Sequence, residues 1–227
     1  QNFKKFIVLE EGFLSLTACF SIIFTTNVSL LKLGTSYSQF DLVVLEEASQ
    51  SNAALALIPL NRGKRVCVIG DPKQLQPVVS LSEEKNEQLR AHFKVPSYYN
   101  YKHKSIFNTL VEVDMNSKFI FLDKHYRCHH KIAKFSNTKY YNNQLDIQTK
   151  YTTKTPLKLI DVKNTATSEK NTSHSEIDVI LKEIHATPPN KEIGVITPFR
   201  KQAIKIREAL DEKKITNVKV GTIHTFQ

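Results

Sequence analysis

Short apolar runs rich in β-branched residues recur along the chain, at residues 20–25, 42–45, 66–69, 119–122, 157–160, 194–196 and 218–223. Most end in polar residues, glycine or proline. Helical spacing fills several of the intervals. Residues 52–58 are rich in alanine and leucine, and 131–141 place Ile132, Ala133, Phe135 and Tyr140 near one helical face. Residues 175–184 and 199–210 read the same way, the latter through Ala203, Ile204, Ile206 and Leu210. Continuous apolar strands that alternate with helices specify an α/β fold with a parallel sheet covered on both faces. Cys19 and Cys67, set in apolar runs, are expected in the core. Two stretches read as softer. Residues 80–104 are polar and charged, with Tyr98, Tyr99 and Tyr101 among lysines, and 164–175 are rich in Thr, Ser and Asn. The tyrosines are expected to pack their stretch against its domain rather than to stack on bases.

A chain of 227 residues suits one large domain or two small ones. Charge divides it. Residues 1–115 carry 12 basic and 11 acidic groups, whereas 116–227 carry 20 and 11. The boundary is placed at that shift, where Asp114, Met115, Asn116 and Ser117 make a plausible turn. The basic second half suits a polyanion, most commonly nucleic acid, and equally a lysine-rich solvated surface. Other classes drop out. No apolar run approaches the ~18 residues of a membrane span, and residues 1–9, followed by Glu10 and Glu11, do not read as a signal peptide. Three scattered cysteines fit a reducing cytoplasm better than a disulfide framework, and no CxxC pair offers a zinc ribbon. The six glycines form no phosphate-binding loop: Gly63-Lys64 is followed by Arg65 and has no glycine five residues upstream.

Ligands of α/β sheets bind beyond the carboxyl ends of strands, so the residues that follow each apolar run carry the chemistry. Run 42–45 ends in Glu46-Glu47-Ala48-Ser49-Gln50. One carboxylate of such a pair can hold Mg²⁺ through water while the next orients or deprotonates an attacking water. Two exposed acids after a strand are also ordinary surface. Run 66–69 ends in Gly70-Asp71-Pro72-Lys73-Gln74-Leu75-Gln76-Pro77. Gly-Asp-Pro alone is a generic turn, but the whole string offers an acceptor, a cation and an amide beside the acid pair.

These strings resemble superfamily 1 helicases of the 1B branch, the branch of RNA-surveillance and replication-maturation helicases. Residues 43–50 are similar to motif II, usually D-E-A-S/T/A-Q, and 69–79 to motif III, the strongest single match. Leu122-Asp123-Lys124-His125-Tyr126-Arg127-Cys128-His129 resembles the segment that ends in motif IV, usually Q-Y-R-M-H. Ile132, Phe135, Ser136, Tyr140, Tyr141 and Leu145 fit the helix and turn after it. Residues 196–202 resemble the family's T-P-Y-x-x-Q element, 220–227 the start of motif V, and Thr25-Thr26 a small threonine element upstream of motif II.

The resemblance covers most of the chain. It implies two partial RecA-like lobes of the P-loop NTPase type in tandem, residues 1–115 and 116–227. ATP would sit in the cleft between the lobes and single-stranded DNA or RNA would cross their tops. By the same resemblance Glu46 would face Mg²⁺, Glu47 would be the catalytic base, and Gln74 would contact the γ-phosphate. Arg127 would act as an arginine finger, with Tyr126 and Asp71 lining the nucleotide site. Thr26, Thr197, Arg200, Thr222 and Thr225 would face nucleic acid. The branch implies 5′-to-3′ movement.

Three departures matter. Glu46 stands where the family has Asp and reaches one methylene further, against the strict octahedral demand of Mg²⁺. The Walker A loop and motif VI lie outside the sequence, so the chain is expected to be a fragment that does not hydrolyse ATP alone. Other readings stay open: a non-catalytic nucleic-acid-binding module with degenerate motifs, a metal site at His125, Cys128, His129 and His130, and a metal nuclease using Asp71 and the acid pair.

Overall fold

Asn2 caps a one-turn helix, α1 (Phe3–Phe6), by accepting the Lys4 N–H on its side chain. The second helix, α2 (Glu10–Cys19), buries Gly12 and Phe13. The structure is a computed structural model and describes residues 2–150, 155–163 and 169–226; residues 164–168 of the expected surface loop lie outside that set. The chain divides into two units. The first comprises Gln1–His125 with Ser136–Asp146, and the second Tyr126–Phe135 with Ile147–Gln227.

In the first unit, β1 (Val43–Leu45) and β2 (Val66–Val68) pair in parallel, Val43 opposite Val66 and Leu45 opposite Val68. The helix α3 (Ala53–Leu60) crosses between them. Its start is set by Asn52, whose side chain accepts the Leu55 N–H. A parallel pair joined through a helix is the unit that α/β folds repeat. Leu45, Ala48 and Ala56 form a core with Ile106 and Phe107 of α5 (Ile106–Val113). Phe13, Leu30 and Leu33 form a second core with Phe40 and Ile58. Beside it Arg62, 5% exposed, donates to the carbonyls of Ser38, Leu33 and Leu30. Its charge lies near the Phe13 and Phe40 rings.

Residues 80–104 are more ordered than their composition suggests. Ser82 caps α4 (Glu83–His92), whose acidic first turn and basic last turn complement the helix dipole. Asn86, buried on α4, donates to the buried Asn100 side chain at 3.2 Å. Glu83 pairs with Lys102 and His103. Tyr98 stacks edge-on against Tyr99, and its carbonyl accepts the Thr109 hydroxyl. These contacts tie the tyrosine segment to α4 and α5, while Tyr99 and Tyr101 keep part of their rings exposed. Further on, β3 (Lys124–His125) and β4 (Asp146–Ile147) are two-residue strands flanking α6 (His130–Tyr140). Asp146 N–H donates to the Asp123 carbonyl.

The second unit packs α7 (His174–Ala186) and α8 (Arg200–Glu212) on the parallel pair β5 (Ile193–Ile196) and β6 (Val218–Gly221). Ile177, Leu181 and Ile184 form the inner stripe of α7, and Ala203, Ile206 and Leu210 that of α8, meeting Val220. The spacings are those of a helix with one buried face. Gln202 is buried and clasps Ser173 at both backbone groups, donating to its carbonyl at 3.1 Å and accepting its N–H at 2.8 Å.

The α/β class and parallel pairing agree with the sequence reading, but several details differ. The sheets are two-stranded pairs among the described residues, and one face is open. The register partners Val44 and Cys67 both point to solvent. Cys67 is therefore exposed rather than in the core, and Cys19 is exposed on the last turn of α2. Runs 20–25, 119–122 and 157–160 form no strands. Phe24 is 94% exposed and Leu159 95%. β-propensity expresses itself only where a neighbouring backbone completes the ladder, and these runs have none among the described residues. No helix of the described residues is long and apolar enough to cross a membrane.

Candidate functional site

Parallel pairing brings the ends of β1 and β2 to one edge of the first unit. Ile69 N–H donates to the Leu45 carbonyl and Ala48 N–H to the Ile69 carbonyl, each at 2.9 Å. The two exits are thus laced together. Ser49, fully buried, extends the lacing: its hydroxyl accepts the Asp71 N–H at 2.8 Å. Gly70 makes the approach possible, because a Cβ there would lie 2.7 Å from the Phe107 ring and 3.0 Å from the Ser49 nitrogen.

Glu46 and Glu47 are exposed at this edge. Glu47 adopts the left-handed conformation, with φ 51° and ψ 38°, unusual for a residue with a side chain. Its carboxylate accepts the Gln50 amide at 3.1 Å. Asp71 is the hub of the neighbouring turn. One oxygen accepts the Lys73 backbone N–H at 3.0 Å, and the other accepts the Gln74 side-chain amide at 2.8 Å and the Tyr141 hydroxyl at 2.5 Å. Burial and the Asp71 carboxylate push the Tyr141 phenol well above its ordinary range. The Thr26 hydroxyl accepts the Ser29 N–H at 3.2 Å and donates to the Ser29 hydroxyl at 2.8 Å, just ahead of the turn Ser29–Lys32. The adjacent Asn27 amide donates to Ser51, just past the acid pair.

A divalent ion that keeps most of its waters needs only one or two protein carboxylates, the rest coming from phosphate oxygens. The exposed Glu46 carboxylate at the end of β1 fits that demand. Among the described residues no three His, Cys, Asp or Glu side chains converge as a metal cage. At His129 the ring Nδ1 accepts the Lys131 N–H at the start of α6.

The second unit gathers the remaining candidates. Tyr126 and Arg127 are exposed ahead of α6. The exits of β5 and β6 share an edge, since Thr197 N–H donates to the Gly221 carbonyl at 3.1 Å. Arg200, exposed, opens α8 on that edge, and Thr222 and Thr225 follow β6 with their hydroxyls 3.5 Å apart. Gly221 permits this tight turn: a Cβ would sit 2.5 Å from Thr225. Thr197 itself is buried, and its hydroxyl accepts the Phe199 N–H at 3.4 Å. Glu46, Glu47, Asp71, Gln74 and Thr26 therefore belong to the first unit, and Tyr126, Arg127, Thr197, Arg200, Thr222 and Thr225 to the second.

A family model described as an AAA domain matches residues 102–227, and another of the same description matches 14–82. The chain belongs to the AAA-domain superfamily 1 helicases. An uncharacterized ATP-dependent helicase of Methanocaldococcus jannaschii is 27% identical over 218 residues, 83% of this chain and 30% of that protein. Helicase SEN1 of Saccharomyces cerevisiae is 30% identical over 201 residues, 78% of this chain and 8% of its own length. The DNA replication ATP-dependent helicase/nuclease DNA2 of Gallus gallus is 27% identical over 199 residues, 83% of this chain and 18% of its own. The chain thus spans less than a third of each of these relatives. Motif reading singled out Glu46, Glu47, Asp71 and Gln74, which stand at the β1–β2 exits. It missed Ser49 as the lace between motifs II and III, and Tyr141 as a partner of Asp71. Ser49 stands inside motif II and was legible as a position; Tyr141 lies 70 residues from Asp71 and carried no local signal.

Proposed function

We propose that this chain is the motor portion of an ATP-dependent helicase that hydrolyses ATP to move along single-stranded DNA or RNA in the cytoplasm. The observation that carries the reading is the laced edge of β1 and β2, which sets an acid pair beside the Asp71–Gln74 turn in a helicase-family chain. In this reading residues 1–115 are part of the first RecA-like lobe and residues 116–227 most of the second.

The roles follow from the chemistry of the groups. Mg²⁺, held through Glu46, would neutralise charge on the phosphates of ATP. Glu47 takes the proton of the attacking water. Gln74 donates to the γ-phosphate. Asp71 and Tyr126 line the nucleotide site. Arg127 is assigned to the charge that spreads over the transferred phosphoryl group, a contribution worth ~10³–10⁵ in rate in comparable enzymes. Thr26, Arg200, Thr222 and Thr225 are assigned to the strand, while Thr197, buried with its N–H bonded to the Gly221 carbonyl, is assigned to holding the β5 exit. Backbone N–H, hydroxyl and guanidinium donors suit phosphate contacts that hold a strand without reading its sequence. The basic second half supports that assignment and makes strand binding weaken steeply with salt.

The test is ATP hydrolysis by the full-length protein, with and without single-stranded DNA and RNA, beside Glu47→Gln as a blank. Strand-stimulated turnover that the variant abolishes while ATP binding survives is the expected result. Salt-sensitive strand binding without turnover above the blank would instead favour a non-catalytic binding scaffold, in which Glu46 in place of Asp marks a lost metal site.

A further inference from the structure

We propose that Tyr141 is a positioning residue for the motif III turn: its hydroxyl fixes the Asp71 carboxylate, and Asp71 in turn holds the Gln74 side chain. The proposal rests on the reading of Gln74 as the γ-phosphate contact. The Asp71 oxygen that accepts the Tyr141 hydroxyl at 2.5 Å is the one that accepts the Gln74 amide at 2.8 Å. The other oxygen is held by the Lys73 N–H. Three donors on one carboxylate fix its plane, and the phenol contact has the length of a charge-assisted bond. A side-chain amide nitrogen carries two N–H groups. With one committed to Asp71, the second has a defined direction and remains for a phosphate oxygen.

Tyr141 is itself rigidly delivered. It directly follows α6 and precedes two consecutive left-handed residues, Asn142 and Asn143. The Asn137 side chain closes the turn, donating to the Leu145 carbonyl and accepting the Leu145 N–H, both at 3.0 Å. Thr138 donates to the Asn143 side chain at 2.8 Å, and Gln144 N–H returns to the Tyr141 carbonyl at 2.8 Å. Strained backbone held in place by such a bracket is a feature of sites where geometry matters. Burial and the facing carboxylate keep the phenol protonated, so it stays a donor throughout the working pH range. The neighbouring Tyr140 ring, by contrast, is 44% exposed.

The test compares wild type, Tyr141→Phe, Gln74→Ala and the double variant in the full-length protein, with Tyr140→Phe as a control. Loss of one charge-assisted bond should lower kcat about tenfold and leave the KM for ATP nearly unchanged. In the Gln74→Ala background, Tyr141→Phe should add nothing, because the group it positions is gone. Amide hydrogen exchange, which needs no turnover, should quicken over residues 71–76 in Tyr141→Phe and stay unchanged over β1. Tyr140→Phe should match wild type in each measurement. Wild-type kcat in Tyr141→Phe, fully additive losses in the double variant, or unaltered exchange over 71–76 would each overturn the assignment. Should the wild-type protein turn over no ATP, the helicase reading fails by itself and the exchange measurement decides whether Tyr141 holds the turn.

Discussion

Replacing Gly70 with alanine tests whether the closeness of motifs II and III is a packing requirement. The added Cβ would lie 2.7 and 2.9 Å from two carbons of the Phe107 ring and 3.0 Å from the Ser49 backbone nitrogen. Carbon pairs sit comfortably at about 3.5–4.0 Å, so ring or turn must give by nearly 1 Å. Phe107 cannot retreat freely, because it is 7% exposed and shares a core with Leu45, Ala48 and Ala56. Overpacking of this kind costs about 1–3 kcal/mol, which corresponds to roughly 2–12 °C in Tm for a domain of this size. The turn is the other outlet for the strain. Movement there draws Asp71 N–H away from the Ser49 hydroxyl, and on the proposed role of Gln74 a misplacement of about 1 Å in this turn costs ~10²-fold in rate. Thermal melting and strand-stimulated ATP turnover of full-length Gly70→Ala read the two arms. Phe107→Leu in the same chain should recover part of the Tm, a coupling of about 0.5–3 kcal/mol. An alanine variant that melts and turns over as wild type, or a second substitution that only adds to the loss, would refute the reasoning.

Two further substitutions probe the support beneath the site. Arg62→Met keeps apolar length but leaves the Ser38 and Leu33 carbonyls without the guanidinium donor; a loss of about 2–4 kcal/mol is expected in chemical denaturation. Glu10 accepts the Ser38 and Thr35 hydroxyls, which holds its carboxyl below the ordinary value of 4.5. A depressed folded-state pKa makes the contribution complete above the unfolded value and lost as pH falls through the folded one. Thermal melts from pH 6 down to pH 3 should therefore show a smaller acid-side fall in Tm for Glu10→Gln than for wild type.

What the sequence made legible, and what it hid, follows from the range of the interactions concerned. Runs around Val43, Val66, Ile193 and Val218 became strands because each has a parallel partner, whereas Phe24 and Leu159 belong to equally apolar runs without one. Apolar content reports readiness to pair and is silent on the partner. Helices were easier, since the stripes Ile177–Leu181–Ile184 and Ala203–Ile206–Leu210 are each written within about two turns of one segment. The motif residues were legible because their spacing follows from a strand, an exit and a turn. Ser49–Asp71 and Tyr141–Asp71 are products of the fold, spanning 22 and 70 residues with no periodicity to announce them.

Two of the positions where local rules break fall in those same motifs. Glu47 occupies a left-handed conformation that an L side chain rarely adopts, and Gly70 stands where no Cβ fits. Neither departure helps the strand it ends. Both bring the motif II exit and the motif III turn within hydrogen-bonding reach, and the buried Ser49 hydroxyl locks them there. Backbone strain persists only where surrounding structure over-determines it. Ile69, Ala48, Ser49 and Phe107 supply that constraint here, so the backbone at Glu47 and Asp71 is held in place by the fold itself. In the proposed ATPase, groups held this way would lose little freedom at the moment of reaction.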